Sequence, residues 1–253
     1  MKGIKTVALI TFKEGVRDRV YLIFLFFAVI LLLFSLFLGM LVIGDPTKII
    51  ADFGMAVMSL FALLIVVFVG GTSFAREIQK KTVILVLSKP VSREEFMLGK
   101  ILGVWFNVFL NIIAMGTLLF LLLLLRGAKM WEIFVHVFLL TLEMGILTSV
   151  ALMFSSFTTQ FLSMLFTFSV YIVGHLATTI KKASMTLKSG VSRTVVKAVS
   201  YAIPNFDYFN LKNQIVYGIK VPSIFFYKST AYFLLLFTFF TIIAMWVFKK
   251  REV

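Results

Sequence analysis

Glu143 is the one acid inside the apolar run Ile133 to Phe154. Ten residues into a helix that rises ~1.5 Å per residue, its carboxyl group sits ~15 Å deep. That is near the middle of a bilayer, where a charged side chain costs on the order of 2.5 to 3.5 kcal/mol to insert. It must therefore face protein or a water-filled path. Glu132 and His136 share its stripe, because offsets of four and eleven residues return to within about 40° at ~100° per residue. Asn107 and Asn111 form a second polar stripe on another apolar run. Glu143, His136, Asn107 and Asn111 are thus candidates for lining a translocation path or gate. Hydrogen bonding between helices is equally open for Glu143 and is the simpler reading for the asparagines.

Other chemistries find less support. His136, Glu132 and His175 carry metal-ligand side chains, but nothing in their spacing brings the three together. With two histidines and no cysteine, the chain offers no thiolate chemistry, no disulfide and no usual zinc set. It has no G-x-x-x-x-G-K-[ST] phosphate loop, so ATP, if it powers this protein, is bound by another polypeptide. A G-x-S-x-G elbow and an H-E-x-x-H pair are absent too, which leaves an intramembrane enzyme with Glu143 alone.

The elements that hold these residues are membrane spans. Of 253 residues 61% are hydrophobic and 14% charged, against about 45 to 50% and roughly 25% in soluble domains. Apolar runs over 20–44, 53–75, 101–125, 133–154, 161–180 and 229–248 each reach the ~20 residues a helix needs to cross the hydrocarbon. The expected fold is all-α, a single transmembrane domain over 1–253 with six spanning helices. The first run is longer than a signal-peptide core and no small-x-small cleavage site follows it, so it reads as a retained helix. A net charge of +14 on such a chain points to anionic lipid headgroups, and no nucleic-acid motif accompanies it.

Lysine and arginine set the orientation. With six spans the N-terminus, loops two and four and the C-terminus share a side. That side carries 14 basic residues against 11 on the other, and the early chain is the more biased. Both termini are expected in the cytoplasm, and the basic 181–228 loop opposes that assignment. The 181–228 loop is too long for a turn. Its Val191, Val195, Val196 and Val199 mark an amphipathic helix that Pro204 ends.

On this topology residues 76–100 form the one substantial cytoplasmic loop. Ser92-Arg93-Glu94-Glu95 fits a capping box, which starts a helix at Ser92 that runs through Gly99 and Lys100 into the third span. Pro90 imposes a break before it. Upstream, Ile78, Thr82, Leu85 and Val86 recur at helical spacing, while Val83, Ile84 and Leu87 leave strand open as a local alternative. Either way an oily ridge framed by charge lies at the membrane surface. Residues 1–19 project as an amphipathic interfacial helix, with Ile4, Val7, Ala8 and Phe12 opposite Lys2, Lys13 and Arg17. Gly99 and Gly103 form a small-x-x-x-small pair that permits close helix approach.

The run Glu77, Lys81-Thr82, Leu85 to Leu87, Ser88-Lys89-Pro90-Val91-Ser92-Arg93 and Gly99-Lys100 resembles the signature of permeases of type-2 ATP-binding-cassette exporters. It is most similar to the branch containing the permease of nitrous-oxide-reductase maturation. A Ser155-Ser156-Phe157-Thr158 turn between the fourth and fifth spans and the stretch Ile203 to Asn210 agree with that resemblance. The resemblance implies that the 76–100 loop is a coupling helix seated in a cleft of a separate ATPase subunit. Glu77, Thr82, Ile84, Leu85, Leu87, Pro90, Ser92 and Arg93 would carry the coupling. It further implies that ATP and Mg are bound by that partner, that no cofactor belongs to this chain, and that two permease copies work together in the inner membrane as an exporter. A non-transporting scaffold or sensor module, or an intramembrane enzyme using Glu143, are the rival classes.

Overall fold

The computed structural model describes residues 2–41, 44–74, 92–186, 203–219 and 221–250. Among the described residues all regular structure is helical, and six helices are long and apolar enough to cross a membrane. In chain order the elements are α1 (Lys2–Val16), α2 (Arg19–Met40), α3 (Pro46–Ile65), α4 (Arg93–Leu125), α5 (Ile133–Phe157), α6 (Gln160–Thr186), a 3-10 turn (Phe206–Phe209), α7 (Lys212–Val216) and α8 (Ser223–Lys250). The protein is a polytopic all-α membrane protein.

Local chemistry sets the helix ends. Asp18 caps α2 by accepting from the Val20 N–H at 2.8 Å. Asp45 caps α3 with Pro46 at its first position, where the missing N–H costs nothing. Ser92 Oγ accepts from Glu95 N–H at 3.1 Å, and Glu95 Oε2 accepts from Ser92 N–H at 3.4 Å. This reciprocal box starts α4 where the S-x-x-E pattern puts it. At the far end of α4, Gly127 takes φ 78°. Its N–H reaches Leu124 O while Ala128 N–H reaches Leu123 O. That is a Schellman closure, which only a residue at ease with positive φ accepts cheaply.

The expected turn at Ser155 to Thr158 is displaced. Ser155, Ser156 and Phe157 belong to α5, and the chain leaves the helix at Thr158. Ser156 Oγ donates back to Met153 O at 2.6 Å, so the hydroxyl finds its partner inside the helix and does not break it.

α5 is the hub. Its most apolar stretch is 83% buried, against 22% for α2, α6 and α8, and it packs on α8, α4, α6 and α3. Lipid is as apolar as leucine, so helices here associate through close fit at small residues. A Cβ on Gly145 would stand 2.8 Å from the Phe233 ring and 2.9 Å from Trp105 Nε1. The outward faces of α2, α6 and α8 present Phe26, Phe34, Phe161, Leu165, Leu235 and Phe239.

Two features depart from a plain bundle. α3 continues through a π turn, Val66–Gly70, which packs against α5 and α6, and remains helical to Phe74. Such wide turns are concentrated at functional positions. In addition, α1 runs along α4 in the same direction. Ile4 O and Val7 lie over Gly99, Ala8 O and Thr11 over Gly103, and Gly15 over Asn107. The partner of the small-residue pair is thus the N-terminal helix.

Candidate functional site

Two groups of side chains stand out, one at the base of the 75–91 connection and one buried along α5. The first ties together both ends of a connection that itself lies outside the described residues. Phe74 is the last described residue before the connection, and Phe96 sits one turn into α4 after it. Both rings meet Phe248 near the end of α8, with centroids 4.9 Å (Phe74–Phe248), 6.0 Å (Phe74–Phe96) and 6.1 Å (Phe96–Phe248) apart. Pairs in this range contribute about 0.5 to 1.5 kcal/mol each beyond their burial.

Polar bonds reinforce the aromatic knot. The Arg93 guanidinium stands 5.9 Å from the Phe248 centroid and donates to Lys249 O at 3.4 Å. Lys249 Nζ meets Glu94 Oε1 at 3.1 Å, an exposed pair worth little by itself. Lys100 is 2% exposed, and its ammonium donates to Ser73 Oγ at 3.4 Å, back across the connection. Val7 of α1 and Leu152 and Met153 of α5 complete the same buried cluster. Five elements therefore converge on the two ends of one connection.

The second group lies deeper. Glu143 is 4% exposed, and its Oε1 lies 3.5 Å from His175 Nε2 on α6, an ion-pair distance without hydrogen-bond geometry. Tyr171 stacks on His175, with centroids 4.4 Å apart, and its carbonyl lies 3.2 Å from His175 Nδ1. Asn111 is 1% exposed, and among the described residues neither end of its amide has a hydrogen-bond partner.

Segment 203–219 covers this group. Phe206 packs onto Gly174 of α6, where a Cβ would also meet Pro204 O at 3.0 Å. Asn205 N–H donates to Tyr232 Oη at 2.7 Å, and Ser229 Oγ donates to Tyr208 O at 2.7 Å. Phe206, Phe209, Leu211 and Ile215 are buried in the main core. α7 then brings Lys212 within electrostatic reach of Glu143 and Asp52. Burial pushes the Lys212 ammonium below the ordinary lysine value, and the two carboxylates oppose that shift. His136, 2% exposed, also lies within the field of Lys212, and Glu132 lines a cavity of about 200 Å³ with Gln214 and Ile215. The Glu132–His136–Glu143 stripe therefore faces this covering segment.

A family model described as ABC-2 family transporter protein matches residues 6–253. The chain belongs to the ABC-2 transporter family. No curated protein matches it. As an ABC-2 protein it is a multi-pass permease component of an ABC transporter, a transport subunit that is not itself catalytic, and membership implies an ABC ATPase partner.

Within this ABC-2 permease the residues singled out from the sequence fall into four groups. Glu77, Thr82, Ile84, Leu85, Leu87 and Pro90 lie outside the described residues, as does the 191–199 valine pattern. Ser92 and Arg93 stand at the aromatic base. Asn107 belongs to the α1 seam, where its amide donates to Gly103 O at 3.2 Å and Thr11 O at 3.5 Å. Glu143 and His136 share the buried stripe of α5. Sequence reasoning missed Phe74, Phe96 and Phe248 as a unit, because phenylalanine is abundant here and carries no signal of contact. It also missed Lys212, whose place in a basic loop pointed to lipid headgroups; the nearby Asn205 and Asn210, as turn formers, were the only hint of a compact segment.

Proposed function

We propose that this ABC-2 permease is the membrane subunit of an ATP-driven exporter in the inner membrane, with both termini and the 76–100 loop in the cytoplasm. A separate ATPase, holding ATP and Mg, grips the ridge formed by Glu77, Thr82, Ile84, Leu85 and Leu87, and Pro90, Ser92 and Arg93 shape its exit into α4. Two permease copies and two ATPases make the working unit. The similarity of the Glu77 to Lys100 run to the nitrous-oxide-reductase maturation permease supports the exporter branch.

The observation that carries this reading is the aromatic base. A connection that receives force must be joined to the spans at both ends, or the force is lost in loop motion. Here Phe74, Phe96 and Phe248 join the ends of α3, α4 and α8, with α1 and α5 in the same cluster. Displacement of the connection is then displacement of the bundle. Just upstream, the π turn at Val66–Gly70 supplies a point where α3 can yield. Glu143, His136 and Asn111 line the route that opens, beneath the covering segment 203–219, and Asn107 holds α1 against α4.

Deleting Ile84 to Leu87 tests the reading. The shortened permease should insert in the membrane yet lose co-purification with its ATPase and stimulation of ATP turnover. Retention of both would refute the coupling assignment.

A further inference from the structure

An apolar groove of about 680 Å³ opens between α1, α4 and α5. Its walls are Ala8, Leu9 and Phe12 on α1, Leu102, Trp105, Phe106 and Phe109 on α4, and Phe138 and Leu142 on α5, and among the described residues Lys5 is the single charged one in its lining. Leu9, Phe106 and Phe138 are 59%, 47% and 43% exposed, so the groove is open along its length.

Its axis is set by the seam already described. α1 and α4 run in the same direction, with Ile4 beside Gly99 and Thr11 beside Gly103. Lys5 therefore marks one end of the groove, level with the first turns of α4, and the phenylalanines continue from it for about 10 Å along both helices. The floor is rigid, because Trp105 Nε1 donates to Thr141 O at 2.9 Å and the Trp105 ring packs on Phe233 and Phe237. One cation at the mouth of an apolar channel matches one kind of molecule, an amphiphile with an anionic head and a hydrocarbon tail.

We propose that this groove is a binding site for an anionic phospholipid, its phosphate at Lys5 and an acyl chain along Trp105, Phe106, Phe109 and Phe138. The site is independent of the export reading, since it needs neither ATP nor cargo. The lipid completes the surface over which α1 is held to α4, so the membrane's anionic lipid content sets how firmly the N-terminal helix is seated beside the aromatic base.

The chain has three tryptophans, and replacing Trp131 and Trp246 by Phe leaves Trp105 as a reporter inside the groove. The full chain carrying W131F and W246F is reconstituted in phosphatidylcholine vesicles containing a small mole fraction of brominated phosphatidylglycerol or brominated phosphatidylcholine. Brominated phosphatidylglycerol should quench Trp105 at about fivefold lower mole fraction, the ratio expected for one lysine facing an anionic headgroup. Lys5→Gln should erase that preference, and Lys13→Gln, on the same helix and outside the groove, should keep it. Equal quenching by the two lipids would overturn the proposal. So would a preference that survives Lys5→Gln, or one that Lys13→Gln removes equally, since either would mean a diffuse basic surface rather than a site.

Discussion

Phe74 meets Phe248 edge to face, with ring centroids 4.9 Å apart and planes 86° apart. One ring closes α3 before the 75–91 connection, and the other lies near the end of α8. The near end of the connection is thus joined to α8 by a fully buried contact, and Phe96 joins its far end to the same ring.

Replacing Phe248 by Ala should uncouple the complex more than it disassembles it. Removing the ring breaks two of the three aromatic contacts of the base. Changes along such contacts typically shift coupling by 0.5 to 2 kcal/mol, so permease-stimulated ATP turnover should fall about threefold or more. Co-purification of the ATPase should hold. Equal loss of both would assign the knot to assembly instead.

The α1–α4 seam makes a second prediction. A Cβ at Gly103 would stand 2.7 Å from Ala8 O, a backbone atom that cannot move aside alone. Gly103→Val should cost on the order of 1 to 3 kcal/mol and lower the melting temperature followed by tryptophan fluorescence. Wild-type melting would show that α1 has room to shift.

These two cases bracket what the residues disclose on their own. The six spans, the Ser92 start of α4 and the Glu132–His136–Glu143 stripe were legible because each depends on local spacing within one helix. Gly99 and Gly103 announced a close approach, yet not that α1 would make it. The union of Phe74, Phe96 and Phe248, and the covering of Glu143 by Lys212 and Phe206, were not legible at all. They depend on which distant segments meet, and periodicity names a face without naming what it meets. The apolar character of 30 phenylalanines conceals which three form a joint.

Glu143→Gln preserves the shape of a buried side chain 3.5 Å from His175 and removes its ability to ionise. If Glu143 lines the route, transport should fall about tenfold, the scale of one buried polar group left unsatisfied, with ATPase assembly unchanged. Loss of folded protein would favour a packing role.

Lys212 gives the covering segment a pH signature. Its ammonium is held below the ordinary lysine value of 10.5, first by burial, with the Glu143 and Asp52 charges in opposition. In the interval just below that value the unfolded chain binds the proton more readily than the folded one, so stability should rise with pH. His136 and His175 face the same space and titrate at lower pH in the unfolded chain. The melting temperature of wild type minus that of Lys212→Met should therefore climb as pH approaches 10.5. A flat difference would place Lys212 in water.

The most direct test concerns the side of the membrane on which the connection lies. The chain contains no cysteine, so Lys89→Cys gives a single thiol for a membrane-impermeant maleimide. A cytoplasmic connection gives labelling in inverted vesicles and none in intact cells, with protection in the vesicles when the ATPase is bound. Labelling of residue 89 from the outside of intact cells would contradict it.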